Sequence, residues 1–209
     1  KKTTDTMRNV LSLLQKQEKN VLINHTGLET LVEHLESREL IARGDWGEAW
    51  ESRAQVQLLA LEKRDKLADC RAGIAALYRG KRRKAFLQHL DEAEFALLSF
   101  DLDKGMVSLE AAYSLDRENY ELAYFLGETF FNEGRAEEAL TYFARVLEAR
   151  EDHYEGLVYS GVILYERGQH EPASRFLEHA LELYPDAFLP LFALGAIAAA
   201  RSELKRAVD

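Results

Sequence analysis

The spacing of small residues constrains this chain more than any other feature. From Gly127 to Gly161 is 34 residues, and from Ala139 to Ala173 is 34 again. Larger residues repeat with them. Ala123-x2-Leu126-Gly127-x2-Phe130 is followed by Ala139-x3-Phe143, and Leu157-x2-Ser160-Gly161-x2-Leu164 by Ala173-x3-Leu177 and then Pro185. A third start, Leu191-x2-Leu194-Gly195-x2-Ala198, lies one period further on. A fixed period of this length means one small supersecondary unit, stacked. The small residues let helix axes approach and the large ones fill the remaining space. No unit buries its apolar face alone, so each leans on its neighbours. Three prolines and twelve glycines in 209 residues leave little material for β-turns, which favours an all-α chain.

The pattern resembles the tetratricopeptide repeat, a helix–turn–helix unit of this period. It is clear over 120–153 and 154–187. It is degenerate over 86–119, where the period projects onto Ala93, Gly105 and Leu109, and partial over 188–209, where Ala207 is the expected small position. The resemblance implies an all-α fold of helix–turn–helix repeats in a right-handed superhelix, an α-solenoid, preceded by an N-terminal helical segment. The expected division is 1–84 for that segment, a helical hairpin with one long helix, and 85–209 for the repeat domain. Gly134 and Gly168 occupy one repeat position and should close each first helix in the left-handed conformation.

Ahead of the repeats, Met7, Val10, Leu11 and Leu14 predict an amphipathic helix over 4–19, with a connector at 20–24. Thr26-x-x-Glu29 is a capping-box pattern that would start a second helix, running to Arg43 and stopped by Gly44. Asp45-x-x-Glu48 marks another start, and only Gly73 interrupts the helical pattern from Trp46 to Tyr78. Leu67, Cys70, Ile74 and Leu77 alternate by three and four, like a coiled-coil seam. The seam is too short to stand alone and is expected to pack on the repeats. Gly80 then breaks the helix.

Reactive constellations are missing from the pattern. The six histidines show no metal-ligand spacing and Cys70 has no cysteine partner, so neither a metal nor another cofactor is expected. Cys70 falls in an apolar series and reads as core. No carboxylate pair is marked as a general acid and base, and the chain is expected to be non-catalytic. Charge is uneven: residues 1–84 hold 17 Lys/Arg against 12 Asp/Glu, and 85–209 hold 10 against 24. An acidic repeat half repels phosphate, which argues against nucleic acid as its partner. The basic run Arg79–Lys84 is an inter-helix turn, an anionic contact for nucleic acid or a membrane surface, or a docking contact for the acidic half, within the chain or between chains. No apolar run approaches the ~18 residues of a bilayer span, so a membrane is not expected as a partner either. The start of the chain lacks the apolar core of a signal peptide, and a single cysteine fits a reducing compartment, so a cytoplasmic location is expected.

In the resembled family, first helices line a concave groove. Carried over, the facing positions here include Glu94 in the first unit and Glu121, Tyr124, Glu128, Phe131 and Asn132 in the second. The third unit contributes Glu155, Tyr165 and Glu166. This face is acidic and aromatic. It departs from family members that hold the C-terminal carboxylate of chaperones with Lys, Arg and Asn. The resemblance therefore implies a protein-interaction module, an adaptor or assembly scaffold, for a basic or amphipathic peptide or helix. The alternative is a self-associating regulatory scaffold whose repeats bind another copy of the chain or its own basic N-terminal half. The helix from Phe188 is apolar nearly all round and must be covered by something, which makes Leu189, Phe192 and Ala196 candidate contacts for a homo-oligomer.

Overall fold

The computed structural model describes residues 2–42 and 45–208. All regular structure among them is helical: α1 Lys2–Ser37, α2 Asp45–Leu77, α3 Arg83–Leu98, α4 Leu102–Leu115, α5 Tyr120–Asn132, α6 Ala136–Ala149, α7 Tyr154–Glu166, α8 His170–Leu183 and α9 Phe188–Val208. Internal contacts divide the chain into two units, Lys1–Val56 and Gln57–Asp209, and α2 belongs to both.

In the first unit, α1 is a single helix, where the sequence suggests a break at 20–24. That stretch contains no proline or glycine, and asparagine is only mildly unfavourable inside a helix. Thr26 is an interior residue, not a cap, for its carbonyl accepts from Thr30 Oγ1 at 2.8 Å. The helix closes instead at Ser37, where Leu40 N–H donates to Leu35 O at 3.1 Å and Glu39 takes a φ of 56°. The side chains of Met7, Val10, Leu11 and Leu14, and the stop expected at Gly44, lie outside the described residues. Where α2 begins, Trp46 and Trp50 stack with ring centroids 5.9 Å apart.

The second unit contains the repeats, and their turns explain the 34-residue period. Gly134 and Gly168 have φ of +74° and +70°. Behind them Arg135 N–H reaches back to Phe130 O and Gln169 N–H to Leu164 O, both at 2.9 Å, which closes each first helix. One period earlier, Asp101 N–H makes the same bond to Ala96 O at 2.9 Å. There the left-handed residue is Phe100, at φ 61°, so the degenerate repeat keeps the turn without its glycine. The expected close approaches are present too. A Cβ on Gly127 would lie 2.9 Å from the Phe143 ring, and one on Gly161 would lie 2.6 Å from Leu177. Leu126, Phe130, Phe143 and Leu177 are buried in the stack, as their spacing predicts.

Two features of this unit position the site. The first is the second half of α2, whose seam is occupied: Ala60, Leu67 and Ile74, seven residues apart, are fully buried. Leu67 and Ile74 share a continuous core with Phe86, Leu90, Leu122 and Leu126, so the seam packs on the repeats as expected. The second is α9. Its inner face, with Ala193 and Ile197, packs against Leu164, Ala173 and Leu177. Position 202, equivalent to Gly134 and Gly168, lies inside α9, which runs through the place where the earlier repeats turn. Ala207 lies outside the residues whose side chains are described.

Candidate functional site: the face formed by the first helices

The expected groove positions lie on the first helices α3, α5 and α7, and α2 packs against some of them. Partners along α2 run in order against α5. Lys63 Nζ donates to Glu133 Oε1 at 3.0 Å. Lys66 pairs with Glu128. Gly73 comes so close to Glu121 that a side chain there would overlap the carboxylate. Asn119 Nδ2 donates to Ile74 O at 2.8 Å. Rising numbers on α2 meet falling numbers on α5, so the two helices are antiparallel. On the other flank, Arg71 pairs with Asp91 and, at 3.5 Å, with Glu94 of α3. Just beyond, Arg79 N–H donates to Asp116 Oδ2 at 2.8 Å and fixes the exit of α2.

The sequence reason for this docking is an amphipathic pattern with a charge code. One stripe of α2 is apolar, through Ala60, Leu67 and Ile74. Its flanks carry Lys63, Lys66 and Arg71, facing the acidic residues of α3 and α5. Lys63 is the most committed of the three, with only 7% of its side chain exposed against 27% for Glu133. A cation that nearly buried needs its carboxylate. Lys66 is 47% exposed, and its pair with Glu128 is weakened by solvent accordingly.

The aromatic positions sit deeper. Tyr124 packs against the His153 ring at 4.9 Å, and Phe131 against Tyr159 at 4.9 Å. Tyr159 in turn stacks on Phe143 at 5.1 Å and donates to Glu128 Oε1 at 3.3 Å. Burial and the neighbouring Glu128 carboxylate push the Tyr159 hydroxyl up to about 12 and that of Tyr124 further still, so both remain neutral donors. Burial also pushes the Cys70 thiol, beside Glu121, up to about 11, leaving it protonated and a weak nucleophile at neutral pH. His153 caps α7, its Nδ1 accepting from Gly156 N–H at 3.2 Å. Burial, with the charge of Arg150, holds its imidazole below the ordinary value.

The expected positions therefore fall into three groups. Glu94, Glu121 and Glu128 meet α2. Tyr124 and Phe131 are half-buried in the aromatic packing beneath. Further along, Asn132, Glu155 and Glu166 are exposed, Tyr165 is half-buried beside the His170 ring at 5.9 Å, and Leu189 and Phe192 are exposed on α9 with Ala196 half-buried. Sequence reasoning missed Lys63, Lys66 and Arg71 as groove contacts. The signal was present as cations flanking the α2 seam, but their partners are distant in the chain. The basic run at Lys81–Lys84 is exposed throughout. Among the described residues no cluster of His, Cys, Asp and Glu could hold a metal ion, and no helix is long and apolar enough to cross a membrane.

Paired helices stacked at a constant period, with one face formed by the first helix of each pair, define a helical-repeat protein. Residues 118–186 match the family model described as tetratricopeptide repeat, so this part of the chain carries tetratricopeptide repeats. No curated protein matches it in sequence. Among solved structures, a mutant of MamA is similar at 19% identity and TM-score 0.51, over 71% of this chain and 91% of that one. The C-terminal TPR-containing domain of a Plasmodium falciparum FK506-binding protein is similar at 14% identity and TM-score 0.50, over 63% and 99%. The first TPR of Spaghetti (RPAP3), solved bound to an HSP90 peptide, is similar at 16% identity and TM-score 0.48, over 57% and 94%.

Proposed function

We propose that this chain is a non-catalytic protein-interaction scaffold whose repeat face takes basic, amphipathic helices or peptides. The observation that supports the reading is α2 itself. An apolar stripe seats on the core while Lys63, Lys66 and Arg71 meet Glu133, Glu128, Glu94 and Asp91. A partner of the same chemistry suits the exposed remainder of the face, near Glu155 and Glu166. The apolar stripe supplies affinity and the charges supply register and selectivity. The test uses two labelled helical peptides, one of Leu and Lys in amphipathic order and one with Glu in place of Lys. Fluorescence anisotropy should show binding of the Lys peptide only, and Glu155→Lys with Glu166→Lys should weaken it by at least about tenfold, as loss of charge complementarity requires. Equal affinity for both peptides, or indifference to the double reversal, overturns the reading.

A second reading is favoured by the same docking: the repeats serve to bind the chain's own basic half, and α2 regulates access. Under it, Lys63→Glu with Lys66→Glu should raise the number of peptides bound per chain. A stoichiometry unchanged in the folded variant refutes it. In either case we assign residues 1–84 as an N-terminal helical segment and residues 85–209 as the repeat domain that binds.

A further inference from the structure

Tyr120 and Tyr154 open α5 and α7, one period apart. In the earlier repeat a cation belongs to this tyrosine. The Arg150 guanidinium lies over the Tyr120 ring, 5.4 Å from its centroid, and Arg150 Nη2 stands 3.6 Å from Asp152 Oδ1. A guanidinium over an aromatic face, with a carboxylate beside it, is attracted by both.

One period later the cation is gone and its surroundings remain. Arg150 corresponds to Tyr184 and Asp152 to Asp186, each 34 residues on. The backbone is alike at the two places. Arg150 caps α6 at φ −145° and ψ 93°, and Tyr184 caps α8 at φ −135° and ψ 89°. Arg150 N–H donates to Val146 O at 2.8 Å, and Tyr184 N–H to Ala180 O at 3.0 Å. The two side chains therefore leave equivalent points, and the difference between them is chemical.

Tyr184 packs against Tyr154 with ring centroids 4.8 Å apart and planes at 74°. The pair borders an open cleft of about 520 Å³, whose described lining also includes Glu155 and Asp186 and no Lys or Arg. His153 lies 3.5 Å from Glu155, but burial holds its imidazole below the ordinary value, so it is neutral at pH 7. The cleft thus combines two tyrosines with two carboxylates and has no cation of its own. Arginine suits it better than lysine. A planar guanidinium stacks on a ring while its N–H groups reach carboxylates at its edge, whereas an ammonium is a compact charge that holds its water.

We propose that the cleft between Tyr154 and Tyr184 receives an arginine side chain from a protein partner, its guanidinium against the tyrosine rings and its N–H groups donating to Glu155 and Asp186. The partner supplies to this repeat what Arg150 supplies to the one before. The proposal rests on the reading of the repeat face as a receptor for basic partners, and it names the side chain that such a partner brings.

The test adds a third labelled peptide, with Arg in place of every Lys, and compares it with the Lys peptide by fluorescence anisotropy. The wild type should bind the Arg peptide about fivefold more tightly, as stacking of a guanidinium on an aromatic ring requires. Tyr184 is 58% exposed, so it can be replaced without loss of the fold, which circular dichroism checks. Tyr184→Arg fills the cleft from within, as Arg150 does one repeat earlier, and should bring the ratio of the two affinities close to one. Tyr184→Leu removes the ring without adding charge and should do the same, while Tyr184→Phe should keep the preference. Equal affinity of the wild type for the Arg and Lys peptides overturns this proposal and leaves the broader reading standing. Failure of both peptides to bind overturns the two together. A preference for Arg that survives both Tyr184→Arg and Tyr184→Leu places it elsewhere and overturns the site.

Discussion

The helices α5 and α7 open consecutive repeats and occupy equivalent places, but they meet different surroundings. α5 is covered by α2, and its cap residue Asn119 serves both, accepting from Leu122 N–H at 3.1 Å and donating to Ile74 O at 2.8 Å. At the equivalent place, α7 is capped by His153, whose Nδ1 accepts from Gly156 N–H at 3.2 Å while its ring packs on Tyr124 of α5 at 4.9 Å. One repeat thus has the face of its first helix folded into the core. The next keeps Glu155 and Glu166 in solvent. The same framework can treat its inner face as interior or as surface, depending on what lies over it.

The largest test of that contrast is truncation. Leu67→Ala removes a fully buried side chain from the α2 seam and should cost about 2–5 kcal/mol in urea denaturation. Leu189→Ala, on the uncovered side, should change stability by only about 0.5 kcal/mol. Equal losses would mean that α2 is not seated on the repeats. Next in size is Glu133→Ala, which strands the Lys63 ammonium and should cost about 1–3 kcal/mol, against under about 1 kcal/mol for Lys66→Ala at the wetter pair.

A smaller effect separates the two caps by pH. The folded-state value of His153 is depressed, so below the ordinary imidazole value the unfolded chain binds the proton more readily than the folded one. Its contribution is complete above about pH 6.5 and is lost as the pH falls from there through the folded value. Protonation also removes the acceptor that caps α7, a loss of about 1 kcal/mol. His153→Asn, which copies Asn119, should flatten the fall in melting temperature between neutral and mildly acidic pH. A slope unchanged from wild type would remove His153 from the account. The smallest effect is expected at the turn: Phe100→Gly relieves a left-handed phenylalanine that costs about 1–2 kcal/mol, offset in part by the greater freedom of glycine in the unfolded chain, for a modest rise in melting temperature.

How much of this could be read from residues alone differs along the chain. The repeats over 120–187 were legible because Gly127, Gly161, Ala139 and Ala173 sit where helix axes must approach, and steric necessity leaves a fixed period. The first repeat was legible by projection, although Phe100 hides the turn glycine. The unbroken α1 was not, since Asn20 to Asn24 and Thr26 resemble a connector and a cap while lacking a residue that forbids a helix. The α2 seam was visible in Leu67, Cys70, Ile74 and Leu77, but its charge register was not. Lys63 finds Glu133 seventy residues away and Lys66 finds Glu128 sixty-two away, separations at which no local period operates. The exposed α9 face followed from its apolar composition.

The attachment of α2 by the short Tyr78–Arg82 link has a kinetic meaning. A tethered helix faces its own groove at an effective concentration on the order of millimolar. Under the proposed reading in which α2 regulates access, a peptide arriving from solution at the α5 half would compete with a resident that never diffuses away. However strong its intrinsic grip, its observed on-rate would then level off at the rate at which α2 lifts. Affinity there would be set as much by the resident's departure as by the newcomer's fit.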